Sequence, residues 1–162
     1  MNKNLRLLMV LALVLVAGFG CAKTKQEETP YPGEYALTAE EQAIADQLKN
    51  GTIYFAYDRY DLTAQSKQVL AQNAAIMKQP AAVKLTAVIE GHCDERGTEE
   101  YNLALGERRA RAAYEYLVNL GVAPGQLEMV SKGKMEPAEY GTGEASWAKN
   151  RRDEFKVVKL QR

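Results

Sequence analysis

Between Gly91 and Ala110 the chain reads GHCDERGTEEYNLALGERRA, a stretch dense in chemically capable side chains. A strand-like run from Val83 to Glu90 leads into Gly91, and an amphipathic helical pattern leaves from about Tyr101. The loop between them holds His92, Cys93, Asp94, Glu95, Arg96 and Gly97, and loops held between rigid elements are where function concentrates. Three chemistries compete for it. His92, Cys93 and Asp94 could ligate a metal or act on a substrate, as in a metal-dependent hydrolase. They are consecutive, however, and neighbours in an extended segment point in different directions. His92 is the one histidine of the chain and there is no CxxC, so a closed zinc site lacks ligands and a Cys–His nucleophile pair lacks geometry. Cys93 then reads as a small buried residue. In a second reading Gly91 and Gly97 permit a tight loop whose charges are simply solvated. In a third the loop binds a zwitterion: Asp94 offers a carboxylate to an ammonium group, and Arg109, fifteen residues on, offers a planar fork to a carboxylate. A helix rises about 1.5 Å per residue, so Arg109 lies roughly 12 Å along the axis from Tyr101 and the loop must fold back over the helix.

The elements that would position these groups follow from the rest of the chain. Its 162 residues favour one domain with appendages, and 46% apolar with 26% charged residues is an ordinary globular composition. Lysine plus arginine equals aspartate plus glutamate, 21 against 21, so no basic excess points to nucleic acid. The two cysteines, Cys21 and Cys93, sit in unrelated contexts and are not read as a disulfide.

Residues 1–20 read as a secretory signal peptide, with Lys3 and Arg6 before an apolar run from Leu7 to Val16 that is too short to span a bilayer. Cys21 follows directly, as in the lipobox of bacterial lipoproteins, although Gly18-Phe19-Gly20 is an unusual approach to it. Lipidation of Cys21 is therefore expected, each buried CH₂ of its acyl chains adding about 0.8 kcal/mol of membrane affinity. Residues 21–37 are polar with Pro30, Pro32 and Gly33, a flexible tether. Residues 38–162 form the domain.

Thr38 and Glu41 fit a capping box opening a short helix that ends near Asn50-Gly51. Thr52 to Tyr57 is aromatic and β-branched, a strand; residues 58–61 turn; Thr63 caps a helix to about Lys78, stopped by Pro80. After the strand at 83–90, a helix carries Leu103, Ala110, Ala113, Tyr114, Leu117 and Leu120 on one stripe and closes at Gly121. Residues 127–131 read as a short strand, 132–143 as loop, 146–152 as a helical turn and 155–160 as a last strand. The order β-α-β-α-β-β predicts an α+β fold, a two-layer sandwich of one mixed sheet with helices on one face.

With Tyr54-Phe55-Ala56-Tyr57-Asp58 upstream and Trp147-Ala148-Lys149-Asn150-Arg151-Arg152 downstream, the central stretch resembles the OmpA-like peptidoglycan-binding domains, and within them the peptidoglycan-associated lipoproteins, over about residues 45–162. The pattern G-H-x-D-x-x-G-x-x-x-Y-N-x-x-L-x-x-x-R-A followed by N-R-R carries the resemblance. It implies a non-enzymatic domain, without cofactor or metal, that grips the diaminopimelate of the peptidoglycan stem. Asp94 and Arg109 would hold its ammonium and carboxylate ends, Asn102 and Leu105 would line the pocket, and Arg151 and Arg152 would stand near the rim. Tyr57-Asp58 falls where relatives carry Phe-Asp against the stem peptide. Cys93 replaces the commoner threonine and removes a hydroxyl. Bland roles stand beside these: Asn102 and Leu105 as cap and core, Arg151 as a brace, Glu95, Arg96 and Arg108 solvated or ion-paired. The resemblance further implies an outer-membrane, periplasm-facing lipoprotein of the Tol–Pal system with TolB and TolA as partners, or else a wall-binding lipoprotein without Tol partners.

Overall fold

The computed structural model describes residues 36–159; the residues read as signal peptide (1–20), Cys21, nearly all of the residues read as tether and Leu160, the end of the last strand read from sequence, lie outside them. Among the described residues four α-helices and four strands follow in order: α1 (Ala39–Lys49), β1 (Ile53–Tyr54), α2 (Ala64–Met77), β2 (Thr86–His92), α3 (Glu99–Asn119), β3 (Leu127–Gly133), α4 (Glu144–Asn150) and β4 (Arg152–Val158). The sheet order is β1-β4-β2-β3, with β2 and β3 parallel and the other pairs antiparallel. Helix α3 is the crossover between the parallel strands and packs on both. Ile44 and Leu48 of α1, Leu70, Ala74 and Met77 of α2, and Ala110, Ala113 and Leu117 of α3 share one core with Ala87, Ile89, Leu127, Phe155 and Val157 from the sheet. Three helices on one face of a mixed sheet make the predicted two-layer α+β architecture.

The local signals behave as their chemistry requires. The Thr38 Oγ1 accepts from the Glu41 amide at 3.3 Å while Glu41 Oε2 accepts from the Thr38 amide at 2.8 Å, a complete capping box. Thr63 caps α2 through the Ser66 amide, and Thr98 caps α3 through the Tyr101 amide, so that helix starts before Tyr101. Asp58 occupies the turn with φ of 54°, a left-handed conformation that aspartate tolerates better than bulky residues.

Three strands differ in extent from expectation. The strand read over 52–57 pairs as a strand only at Ile53–Tyr54. Beyond Tyr54 the backbone carbonyls serve arginines instead of a ladder: Phe55 O accepts from Arg151 Nε at 3.0 Å and Ala56 O from Arg109 Nη2 at 3.2 Å. The final strand begins earlier than read, at Arg152, because the polar run Arg152-Asp153-Glu154 pairs with β1 and β2 despite its charges. A 3₁₀ turn at Pro80–Ala82 delays β2 to Thr86, and β2 runs on to His92, with a register shift against β3 at Gly91/His92.

Candidate functional site

Gly91 and Gly106 set how closely the crossover helix approaches the sheet. A Cβ on Gly91 would lie 2.1 Å from the Gly106 carbonyl oxygen, and one on Gly106 would lie 2.7 Å from Gly91 O, so α3 rests directly on the end of β2. One turn further along α3, Arg109 is carried under the loop that follows β2. The loop folds back over the helix as the zwitterion reading required. A cavity of about 130 Å³ opens there, lined by Tyr57, Asp58, Cys93, Asp94, Arg96, Gly97, Tyr101, Asn102, Leu105 and Arg109.

Arg109 is fully buried. Its Nε donates to Arg59 O at 2.8 Å, Nη1 to His92 O at 2.8 Å and to Cys93 Sγ at 3.5 Å, and Nη2 to Ala56 O. Burial pulls its pKa down, against which Cys93, Asp153 and Asp94 favour the charged form. A guanidinium has five N–H donors, so most of the fork is spent stapling residues 56–59 to the end of β2.

Asp94 is 5% exposed and its carboxylate is already paired. Oδ1 accepts from the Arg96 amide at 3.2 Å and from Arg96 Nε at 3.0 Å; Oδ2 accepts from Arg96 Nη2 at 2.6 Å and from Arg151 Nη1 at 3.4 Å. Burial alone would raise its pKa, but the bonds from Arg96 outweigh this and hold the carboxylate below its ordinary value. Arg96 lies between two rings, its guanidinium carbon 3.8 Å from the Tyr57 centroid and 3.9 Å from that of Trp147. The Trp147 indole is itself fixed by donating to Glu95 Oε1 at 2.9 Å. Arg96, read from sequence as solvated or ion-paired, is ion-paired, and it is the principal partner of Asp94.

The remaining predicted residues divide. Asn102 sits in the first turn of α3 and its amide ties the loop shut, donating to Arg96 O at 2.8 Å and Thr98 O at 3.0 Å. Leu105 forms the apolar floor. The Tyr101 hydroxyl donates to Asp58, joining the turn at 58 to α3. Arg151 stands outside the pocket lining and braces it from behind, bonded to Phe55 O, Glu144 and Asp94. Arg152 is further away, reaching Asn150 O, Glu136 O and Glu154.

His92 leaves the pocket altogether. Strand alternation turns it to the outer face of the sheet beside Glu90 and Glu154, whose carboxylates already face Lys132 and Arg152. Neither ring nitrogen has a hydrogen-bond partner, and burial, with the Arg152 charge, pulls its pKa down to about 4. Cys93 donates to Asn102 O at 3.3 Å, and burial pushes its thiol up to about 11. His92 is thus parted from Cys93 and Asp94, and the thiol is protonated at neutral pH, the inert form.

Asp153 escaped the sequence reading. It pairs with Gly91 in β4 and is fully buried, both oxygens without a hydrogen-bond partner. Burial pushes its pKa well up, opposed by the charges of Arg109 and Arg152. Carrying the inward alternation of Phe155 and Val157 back by two residues would have found it.

Residues 54–151 match the OmpA family, and the chain belongs to that family. It is 51% identical over 105 residues to the peptidoglycan-associated lipoprotein of Pseudomonas aeruginosa, a match spanning 65% of this chain and 61% of that relative. It is 40% identical over 153 residues to the peptidoglycan-associated lipoprotein of Haemophilus influenzae, covering 94% of this chain and 97% of that one. Among solved structures, the peptidoglycan-associated lipoprotein of Burkholderia pseudomallei superposes with a TM-score of 0.62 at 43% identity, over 65% of this chain and 88% of the other.

Proposed function

We propose that this protein is a lipid-anchored outer-membrane protein that binds peptidoglycan non-covalently through the diaminopimelate of the stem peptide, without catalysis. Residues 1–20 are the signal peptide, Cys21 the acylated mature N-terminus, residues 21–37 the tether and 38–162 the wall-binding domain. The observation that carries the reading is the pocket itself, where a buried carboxylate, Asp94, and a buried guanidinium, Arg109, line one cavity of about 130 Å³. Opposite charges lining one cavity match the ammonium and carboxylate of an amino-acid terminus, and such charge-assisted bonds are about twice as strong as neutral ones. The names of the 51% and 40% identical relatives, both peptidoglycan-associated lipoproteins, support peptidoglycan as the polymer bound. Anchoring at one surface raises the local concentration of domain at the wall, so modest affinity suffices. The same likeness to peptidoglycan-associated lipoproteins supports membership of the Tol–Pal system, with TolB competing for a surface that overlaps the pocket and TolA acting during envelope constriction.

Co-sedimentation of the full chain in detergent with diaminopimelate-type sacculi tests this. Wild type pellets, whereas Asp94→Ala, shown by circular dichroism to be folded, stays in solution. Equal pelleting of both would move the wall contact elsewhere on the domain, and failure of wild type to pellet would remove peptidoglycan as the ligand.

A further inference from the structure

The outer face of the sheet, opposite the face that packs on α3, carries a cluster that the pocket does not use. Glu90 and His92 are two residues apart on β2 and so share that face. Glu154 of β4 stands directly opposite Glu90 in the antiparallel register. One oxygen of each carboxylate and one imidazole nitrogen lie within 4.8 Å of one another. Like charges directly opposite on neighbouring strands repel. Lys132 Nζ, 3.6 Å from Glu90, and Arg152 Nε, 2.5 Å from Glu154, answer that repulsion. They do nothing for His92. It is 1% exposed and neither ring nitrogen has a hydrogen-bond partner, whereas buried polar atoms are ordinarily paired.

We propose that Glu90, His92 and Glu154 form a binding site for a divalent transition-metal ion, with zinc as the ion that the donor set fits. Ligands from two strands supply what the consecutive His92, Cys93 and Asp94 could not. Three protein ligands with a fourth position left to water make an open tetrahedral zinc site. The imidazole sets the site apart from those of magnesium and calcium, which take oxygen ligands. Around a zinc at about 2.0–2.2 Å, ligand atoms stand roughly 3.0–3.6 Å apart, so the three atoms close in by roughly 1 Å at most. Rotation of the glutamate side chains supplies that movement, and the half-exposed Glu154 leaves the ion a way in.

The resident cations have other acceptors to keep. Lys132 retains Glu136 Oε1 at 2.8 Å, and Arg152 retains the carbonyls of Glu136 at 3.4 Å and Asn150 at 3.5 Å. Neither charge is stranded when the ion takes over the two carboxylates. The bound ion pins β2 to β4 from the outside, at the residue whose carbonyl Arg109 grips from the inside. No pocket side chain takes part, so the inference is independent of the diaminopimelate reading.

His92 is the one histidine of the chain, so its imidazole resonances report on the site without assignment. Zinc chloride is titrated into the untagged full chain in detergent, followed by nitrogen-correlated NMR of the imidazole and by calorimetry. Wild type binds one ion per chain, the imidazole resonances shift in step with it, magnesium leaves them in place, and the melting temperature rises with zinc. His92→Asn and Glu154→Gln, each shown by circular dichroism to be folded, bind at least about tenfold more weakly, since even outer partners of a metal ligand are worth that much. Glu154→Gln, at a half-exposed side chain, carries the test if His92→Asn does not fold. Glu115→Gln, at an exposed position of α3, binds as wild type does. Imidazole resonances unmoved up to millimolar zinc, or undiminished binding by the folded variants, would overturn the site and leave the peptidoglycan reading standing. Equal shifts with magnesium would overturn the choice of a transition metal.

Discussion

Gly91 and Gly106 touch backbone to backbone, the Gly106 carbonyl lying where a Gly91 side chain would begin. That contact sets the depth at which α3 sits on β2, and so the height at which Arg109 meets the loop after β2. Gly106→Ala would place a Cβ 2.3 Å from Ser131 Oγ and 2.7 Å from Gly91 O. The serine can rotate away but the backbone cannot, so the helix must lift. Alanine is the better helix former by about 1 kcal/mol, yet overpacking of this kind costs about 1–3 kcal/mol or more. Gly106→Ala therefore lowers the urea midpoint, and it weakens wall binding as well because Arg109 moves with the helix. An unchanged midpoint would mean that the helix does not depend on this approach.

Arg109 is as much a staple as a ligand contact. Removing it leaves the carbonyls of Ala56, Arg59 and His92 without the donor they now have, the buried His92 carbonyl alone costing about 1–3 kcal/mol. Arg109→Ala is accordingly destabilised by about 3 kcal/mol or more in chemical denaturation, far beyond Asp94→Asn, which keeps a neutral acceptor for Arg96 and Arg151. Similar stabilities for the two variants would show that the staple is dispensable.

The buried titrating groups His92 and Asp153 act in opposite senses. The native His92 has a pKa of about 4 against about 6.5 in the unfolded chain, so the unfolded state takes up the proton first. Its contribution is complete above about pH 6.5 and is lost as pH falls toward 4, by about 3 kcal/mol at most. Asp153 is the reverse: with its native pKa raised, its contribution is complete below about 3.9, the unfolded value, and is lost as pH rises through the native one. Asp153→Asn mimics the protonated form, so it is more stable than wild type at pH 7 and the gain shrinks toward pH 4. His92→Asn flattens the loss on the acid side. Urea titrations at half-unit steps from pH 4 to 8 separate the two. An Asp153→Asn variant weaker than wild type at pH 7 would show instead that the carboxylate is ionised there and neutralises Arg109.

Much of this was legible in the chain. Thr38 with Glu41, Thr63 and the long α3 pattern are local signals, satisfied within one turn, and they behave the same whatever surrounds them. The element order, and hence the α+β layering, followed from such signals. That Asp94 and Arg109 line one cavity was also legible, from residue type, spacing and family pattern. The core stripe of α3 was read only in part: Leu103 and Leu120 are half-buried, whereas Asn102, Gly106 and Arg109 face inward with Leu105, Ala110, Ala113 and Leu117. A hydrophobic pattern cannot report a buried arginine, because what makes its burial tolerable is a set of carbonyls from other elements.

The sequence by itself determined the helices, the loop rich in charge and the family to which the chain belongs, since these depend on local propensity and on residue identities at set spacings. Tertiary structure decided which charge pairs with which. Asp94 could have faced Arg96, Arg109, Arg151 or solvent, and only the folded loop gives it to Arg96 between Tyr57 and Trp147. It likewise ended β1 at Tyr54, by turning the next carbonyls toward Arg151 and Arg109, and buried Asp153 beneath the site. Hydrogen bonds and ion pairs join residues as far as 118 positions apart here, as Lys159 does with Glu41, and Arg151 reaches 96 positions back to Phe55. Such partners are chosen by where the packed elements leave a donor facing an acceptor, which is a property of the fold and of no single stretch of chain.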